Sequence, residues 1–485
     1  MILGFKVRYL RQQRGLSYKE LSASTGLSKS YLNDIEKGKK YPKPDKVQAL
    51  AQAFGLDYND LVSTTGDKKL QPVLDLLNSD FYKLFPMDKF GIDTEKLLDV
   101  LTNAPDKFNA FISTIIKMTR SYQIDQEDFY RTALRSYQDM HDNYFEELEE
   151  AAQTLISAHK LSNPRIKTKQ LESILKKEYN IMVDRETLHQ KTKLSKFRSY
   201  YSKPKNILYL NQGLVSAQEN FILAKEIGFH FLNLSERPSE TVLQKEASFE
   251  KLLSNFKASY FAAAILMKEE DVIADIHELS KQTKWSATLI QRPLKKYDVT
   301  PETFFQRVTN ILPQHFGVND IFFLRMQSSK ELHTYAMTKE LHLSKLHSPY
   351  KNKLNEHFCH RWISIHVLKK IRSKQYIEAS KNLVIDAQIS KYWNSPNEYF
   401  CMSIAQTNSF GNYTPSSVTL GLLITPQLRA TFNFLKDDDI LSRHVNTTCE
   451  RCSMPDCDHR VAAPTFIEAD ELEKELALEL DTLNR

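Results

Sequence analysis

Residues 16–38, LSYKELSASTGLSKSYLNDIEKG, restrict the possible folds of this chain more than any other stretch. Ser17 has the chemistry of a helix N-cap, since its hydroxyl can accept from a free amide of the first turn. Glu20, three residues later, can reach back and complete a capping box. Leu21 faces inward, and Gly26 supplies the positive φ that a tight inter-helix turn needs. Ser28 caps a second helix, in which Leu32 and Ile35 face the core and Gly38 marks the end. Two short helices around a glycine-containing turn make a helix-turn-helix unit.

The flanks extend the pattern. Lys6 to Arg14 reads as a preceding helix with Val7 and Leu10 on its apolar face. Val47, Leu50, Ala51 and Phe54 stripe a following one, and Leu56, Tyr58 and Leu61 open a last short helix. The Ser-x-x-Glu-Leu start, Gly26-Leu27-Ser28, the Ile35-Glu36-x-Gly38 end, and Pro42 and Pro44 together resemble the Cro/cI-type (XRE) DNA-binding domain over residues 1–63. Charge agrees. Those 63 residues hold 11 Lys and Arg against 6 Asp and Glu, a net of +5 in a chain of net +6. Basicity concentrated on one small domain is the footprint of phosphate binding. Lys29 and Ser30, with Asn33 and Asp34 one turn on, occupy the positions that meet base edges in the major groove. Arg11, Tyr18, Lys39 and Lys40 are placed for phosphates. The expected partner is double-stranded operator DNA, read by a homodimer or higher homo-oligomer.

At 485 residues and 41% hydrophobic, the chain can bury several cores. No apolar run reaches the roughly 18 residues of a membrane span, so no membrane partner is expected. Five cysteines are too few for a disulfide framework, and a DNA-binding start implies a reducing cytoplasm. Residues 68–164 read as a helical connector, with one long helical run from Asp128 to Ala158. Glu146, Glu147, Glu149 and Glu150 are expected on its solvated face.

Residues 165–295 read as a third module. Lys169 to Tyr179 is amphipathic, Asn206 to Asn211 is a short strand, and a helix runs from Ser216 through Leu223-Ala-Lys225-Glu226-Ile-Gly228-Phe229-His230. A strand followed by such a helix resembles zinc peptidases of the ImmA/IrrE type. Those need His-Glu-x-x-His, so that two imidazoles one turn apart hold the metal and the Glu activates water. Here Lys225 and Phe229 stand at the histidine positions and only Glu226 remains. His230 is one residue out of phase, about 100° around the helix. The module therefore reads as a degenerate metallopeptidase-like scaffold, with Tyr260–Met267 in its core.

Over residues 300–467, helices alternate with strand-like stretches at 320–327, 383–386, 399–405 and 418–424. Helices are expected near 285–292, 301–308, 358–373 and 426–433. The reading is an α+β sensor domain with an antiparallel sheet, ending in a helical tail at 468–485. Near its end stand Cys449, Cys452, Cys457 and His459. Thiolates at C-x2-C can hold a metal centre from one loop, a third thiolate can close around it, and His459 could supply a fourth ligand.

In order, these parts resemble the bacterial short-chain fatty-acyl transcriptional regulators, with Leu420-Gly421, the cysteine loop with Arg460, and Pro464 carrying the C-terminal likeness. The resemblance implies a sensor for a short-chain acyl-CoA and an iron–sulfur cluster on the cysteines, with zinc as the alternative. Arg361, Lys369, Lys370 and Arg372 are available for CoA phosphates. The fold class is thus multidomain: an all-α N-terminal domain, a mainly helical middle and an α+β C-terminal domain. The expected protein is a non-enzymatic, ligand-responsive regulator of fatty-acid, propionate or acetate metabolism. The competing reading is a stress or toxin–antitoxin regulator with metal-dependent peptidase activity.

Overall fold

The computed structural model describes residues 2–63, 85–92, 126–191, 193–195, 197–237, 248–328, 334–343, 356–373, 383–407 and 414–483. The expected helices at 70–77 and in the stretch to residue 118 lie outside these. The chain divides into two compact units, residues 1–137 and 138–485.

In the first unit, α1 (Ile2–Gln13), α2 (Tyr18–Thr25), α3 (Lys29–Glu36), α4 (Pro44–Ala53) and α5 (Tyr58–Val62) form an all-helical domain. Leu21, Leu32, Ile35, Val47, Leu50, Ala51, Phe54 and Leu61 make its core. Truncating one such leucine to alanine costs about 2–5 kcal/mol. Helix α1 starts four residues before the expected Lys6, because Leu3 and Phe5 are buried. Gly4 explains its close approach to α3: a Cβ there would lie 2.1 Å from the Ile35 carbonyl oxygen.

The expected single run over Asp128–Ala158 is two helices, α6 (Gln126–Met140), most of which belongs to the first unit, and α7 (Glu146–Ala158) of the second. Asp142 and Asn143 take positive φ between them, a conformation open to Asn and Asp at modest cost. Asn143 is buried there and its amide donates to Thr309 Oγ1 at 3.0 Å. Its neighbour α7 corrects the expected solvated acidic face. Glu149 is buried, bonded by the fully buried Arg307 through both carboxylate oxygens and by the Tyr260 hydroxyl at 2.6 Å. Glu146, Glu147 and Glu150 remain exposed.

The middle module comprises α8 (Thr168–Tyr179), β1 (Met182–Asp184), α9 (Thr187–Gln190), β2 (Ser199–Ser202) and β3 (Ile207–Leu210). Long helices α10 (Ser216–Phe231) and α11 (Phe249–Leu266) follow. Its small sheet has the order β1-β3-β2, with β1 parallel and β2 antiparallel to β3. Gly228 lets α10 lie against α11, since a Cβ would meet the Phe261 ring at 2.9 Å.

Helices α12 (Glu269–Ser280), α13 (Thr288–Tyr297) and α14 (Pro301–Phe316) lead to the C-terminal domain. Thr300 caps α14 by accepting from the Thr303 amide at 3.2 Å. Helix α13 begins three residues after the expected Trp285, and Ser286 accepts from the Thr288 amide just outside it. The domain holds β4 (Ile321–Ser328), β5 (Tyr335–His342), α15 (Ile363–Arg372), β6 (Leu383–Tyr392), β7 (Glu398–Gln406), β8 (Ser416–Leu423), α16 (Pro426–Thr431) and β9 (Ser442–Val445). Its sheet order is β5-β4-β8-β7-β6-β9. The expected antiparallel sheet is mixed, because β9 joins β6 in parallel. Gly421 on β8 leaves room for the Phe322 ring, which a Cβ would meet at 2.2 Å. Helix α15 covers one face through Ile365, Leu368 and Ile371. It starts five residues later than expected, because Phe358 bridges to Thr448 in extended form. The chain's last described helix is α17 (Thr465–Leu483).

Candidate functional site

Two N-caps start the paired helices α2 and α3. Ser17 and Glu20 form the expected capping box on α2, with the Ser17 amide donating to Glu20 at 2.7 Å. Gly26 turns at φ +70°. The Ser28 hydroxyl then accepts from the Tyr31 amide at 3.2 Å and starts α3. A cap of this kind contributes about 0.5–2 kcal/mol. Buried Leu27 and Leu32 fix the rotation of the helix, which leaves Lys29 and Ser30 exposed at its N-terminus.

The remaining expected DNA contacts divide into two sets. Lys39 is exposed, and Lys40 is exposed but paired with Asp34 at 2.9 Å. Arg11 and Tyr18 turn inward instead. Arg11 forks onto Glu36 at 2.7 and 2.9 Å, and the Tyr18 hydroxyl donates to the same carboxylate at 2.7 Å. The Arg11 guanidinium lies 4.2 Å over the Tyr18 ring. Glu36 is 1% exposed, so these residues bind α1, α2 and α3 together. Asn33 is half-buried, with its Oδ1 3.4 Å from the Tyr18 hydroxyl.

In the middle module, Glu226 is buried and held by Arg237 through two bonds of 2.7 and 2.6 Å. His230, one turn along α10, lies 3.0 Å from Glu226 Oε1. Arg237 also stacks over the rings of Tyr201 and Phe229 at 4.1 and 4.4 Å. Burial pushes the Glu226 carboxyl up, but bonds from His230 and Arg237 outweigh it and leave the group below the usual carboxylate range. Lys225 donates to Asn255 on α11 at 2.6 Å. The carboxylate that would activate water in a peptidase is thus occupied by a guanidinium. Arg237 carries no sequence signal, because it lies beyond the end of the helix.

The cysteine loop follows β9. Arg460 braces it by donating to the carbonyls of Cys449, Cys452 and Met454 at 3.1, 3.0 and 2.7 Å. The Cys449 amide donates to the His357 carbonyl, and the Cys359 amide to that of Thr447. This pairing brings Cys359, ninety residues upstream, beside the loop. Cys359, Cys449, Cys452, Cys457 and His459 line one small cavity of about 10 Å³. Burial pushes the Cys359 thiol up to about 11, with Cys449 and Cys452 adding to the shift. His459 falls below the usual imidazole range through partial burial and the charges of Lys369, Arg361 and Arg443. Among the described residues, no three His, Cys, Asp or Glu side chains converge at metal-ligand geometry. The donor set itself, four sulfurs and an imidazole around one cavity, suits a thiolate-bound metal.

The basic residues considered for CoA lie on or beside α15. Lys370 pairs with Asp386 and Arg372 donates to Ser328 Oγ at 3.1 Å. Burial lowers the pKa of Lys369, and Arg361 has a buried Nε with no hydrogen-bond partner among the described residues. No helix among the described residues is long and apolar enough to cross a membrane.

Comparison with known proteins bears on the first two sites. Residues 7–61 match the helix-turn-helix family HTH_3, and residues 176–309 match the IrrE N-terminal-like domain of the Peptidase_M78 family. The chain is 37% identical over 57 residues to the HTH-type transcriptional regulator DdrOP3 of Deinococcus deserti, covering 12% of this chain and 44% of that protein. It is 33% identical over 66 residues to the uncharacterized HTH-type transcriptional regulator y4dJ of Sinorhizobium fredii, covering 14% of this chain and 86% of that protein. The chain thus spans less than half the length of the first relative. A solved Mycobacterium tuberculosis transcriptional regulator aligns with a TM-score of 0.47 at 14% identity, over 68% of this chain and 92% of that one.

Proposed function

We propose an operator-binding, ligand-responsive role for this chain, which belongs to the helix-turn-helix transcriptional regulators. The observation that carries it is the exposed N-terminus of α3, where Ser28 caps the helix and Lys29 and Ser30 stand clear of the core. In this docking mode that end of the helix enters the major groove. A homodimer would read two half-sites about one helical turn, ~34 Å, apart. Lys29→Ala and Asn33→Ala should reduce discrimination between operator and random DNA. Lys39→Ala should weaken both alike and flatten the salt dependence. Equal effects of all three on specific and random DNA would refute the recognition register.

The middle module acts as a scaffold and not as a peptidase, on the ground that Arg237 occupies Glu226. The C-terminal domain is the sensor, and a short-chain acyl-CoA is the effector we favour, linking the protein to fatty-acid, propionate or acetate metabolism in the cytoplasm. A ligand at 100 times its dissociation constant stabilises by about 2.7 kcal/mol, so acetyl-, propionyl- or butyryl-CoA should raise the melting temperature of the full chain. No shift with any of the three removes the acyl-CoA reading. A metal centre on Cys449, Cys452 and Cys457 would tie the loop to the end of the sensor. Cys359 competes with His459 for the fourth ligand position. An iron–sulfur cluster is preferred; zinc would make the site a closed structural one.

A further inference from the structure

Arg198 differs from three other inward-turned arginines of this chain. Arg11, Arg237 and Arg307 each take a buried carboxylate of their own, from Glu36, Glu226 and Glu149. Arg198, just before β2, is half-buried and among the described residues makes no ion pair and no side-chain hydrogen bond. Its backbone is nonetheless fixed by buried Asn211. The Asn211 amide donates to the Arg198 carbonyl at 3.0 Å, and its side chain donates to the carbonyls of Ser195 and Phe197 at 2.9 and 3.1 Å. The surrounding segment supplies no counter-charge, since residues 187–218 hold six Lys and Arg and no Asp or Glu.

The groups that Arg198 faces, all within the second unit, are mostly basic too. Arg325 on β4 lies opposite Lys339 on β5. Both reach Glu302, in the first turn of α14, at 3.5 and 3.1 Å. Burial and the charge of Arg325 push the Arg198 guanidinium below its usual range, and Glu302 offsets them only in part. The Glu302 carboxyl answers to all three cations. Burial raises it, yet Lys339, Arg325 and Arg198 hold it below the usual carboxylate range. Three cations from three separate parts of the fold thus share one carboxylate, which leaves a net of +2. Half-buried like charges held at fixed positions are costly without a counter-ion.

We infer that Arg198, Arg325 and Lys339 bind a phosphate group of a small-molecule ligand, held between the middle module and the sensor sheet. The surplus of two charges matches a phosphate dianion and exceeds what one carboxylate would cancel. A guanidinium fork fits phosphate oxygens bidentately, and Lys339 adds an exposed point charge. Arg198, Arg325 and Glu302 are half-buried, which suits a single phosphate group better than the rigid backbone of a duplex. A phosphate bonded to Arg198 of one module and Arg325 of the other ties the two together. The inference does not depend on the acyl-CoA reading, because free phosphate and the phosphates of a CoA ester share this chemistry.

The test is the melting curve of the full chain with inorganic phosphate, pyrophosphate or acetyl-CoA, each against sodium chloride at equal ionic strength. At least one of the three should raise the melting temperature where chloride does not. Arg198→Gln should weaken that ligand by about ten- to a hundred-fold, the worth of one charge-assisted bond. The same substitution should leave the ligand-free melting temperature unchanged or higher, since it removes a repulsion and breaks no pair. Lys339→Gln, at an exposed position, should weaken the same ligand. Stabilisation by phosphate or pyrophosphate but not by acetyl-CoA, lost in both variants, would keep this site and separate it from the acyl-CoA reading. Stabilisation by acetyl-CoA that both variants leave intact would overturn the site and spare that reading. The inference also fails if none of the three stabilises the chain, if chloride matches them, or if Arg198→Gln weakens random-duplex binding as much as Lys39→Ala does.

Discussion

Arg11→Met tests how α3 is held. The substitution removes both guanidinium bonds to Glu36, at 2.7 and 2.9 Å, and among the described residues leaves the Tyr18 hydroxyl alone on that carboxylate. Glu36 is 1% exposed, so water cannot replace the lost partner without opening the domain. Breaking one side of such a pair costs about 3–5 kcal/mol, whereas replacing both partners by apolar groups of similar size is often close to neutral. Arg11 is itself only slightly exposed, which keeps the site in the buried regime. Hydrogen exchange of the full chain, read on the Leu32–Lys37 amides, is the assay. In Arg11→Met their protection should fall by about 2.2 to 3.7 decades, at 1.36 kcal/mol per decade. It should return to within about tenfold of wild type in Arg11→Met/Glu36→Met. A loss below tenfold in the single variant, or a double variant as poorly protected as the single one, would refute the reasoning.

Two further predictions concern the other sites. The Glu226 carboxyl sits below its unfolded value of about 4.3. Its contribution is therefore present above that pH and lost as pH falls through the lower folded value. Arg237→Met should shrink or reverse the acid-side loss of α10 exchange protection, because burial then raises the carboxyl without the opposing guanidinium, and adding Glu226→Gln should remove the remaining pH dependence; an unchanged pH profile contradicts the assignment. Anaerobically purified protein should carry iron and sulfide with visible absorbance that Cys452→Ser removes. Loss in Cys359→Ser but not in His459→Ala would identify the fourth ligand, one equivalent of zinc would favour the structural alternative, and a metal-free folded chain would exclude both.

Much of the first domain was legible because its determinants are local. Ser17, Glu20, Gly26 and Ser28 act on neighbours within four residues, and each occupies its expected role. The misreadings arose where a partner is far away in sequence. Arg11 and Tyr18 look like surface groups until Glu36 is placed beneath them. Glu149 reads as solvated until Arg307, 158 residues on, reaches it. Strands β5 and β9 were missed: one alternates polar residues at an edge, and the other is only four residues long. Cys359 gave no local metal-site spacing, since only the pairing of residues 357–359 with 447–449 brings it to the loop.

The most direct measurement is genome-wide occupancy of the chain by chromatin immunoprecipitation, followed by footprinting of the enriched fragments. Sequence-specific regulation through α3 predicts a small set of discrete sites with two-fold symmetric half-sites about one turn, ~34 Å, apart. Lys29→Ala and Asn33→Ala should deplete those sites relative to background. Diffuse enrichment that follows DNA content, or discrete sites unaffected by both substitutions, would contradict it.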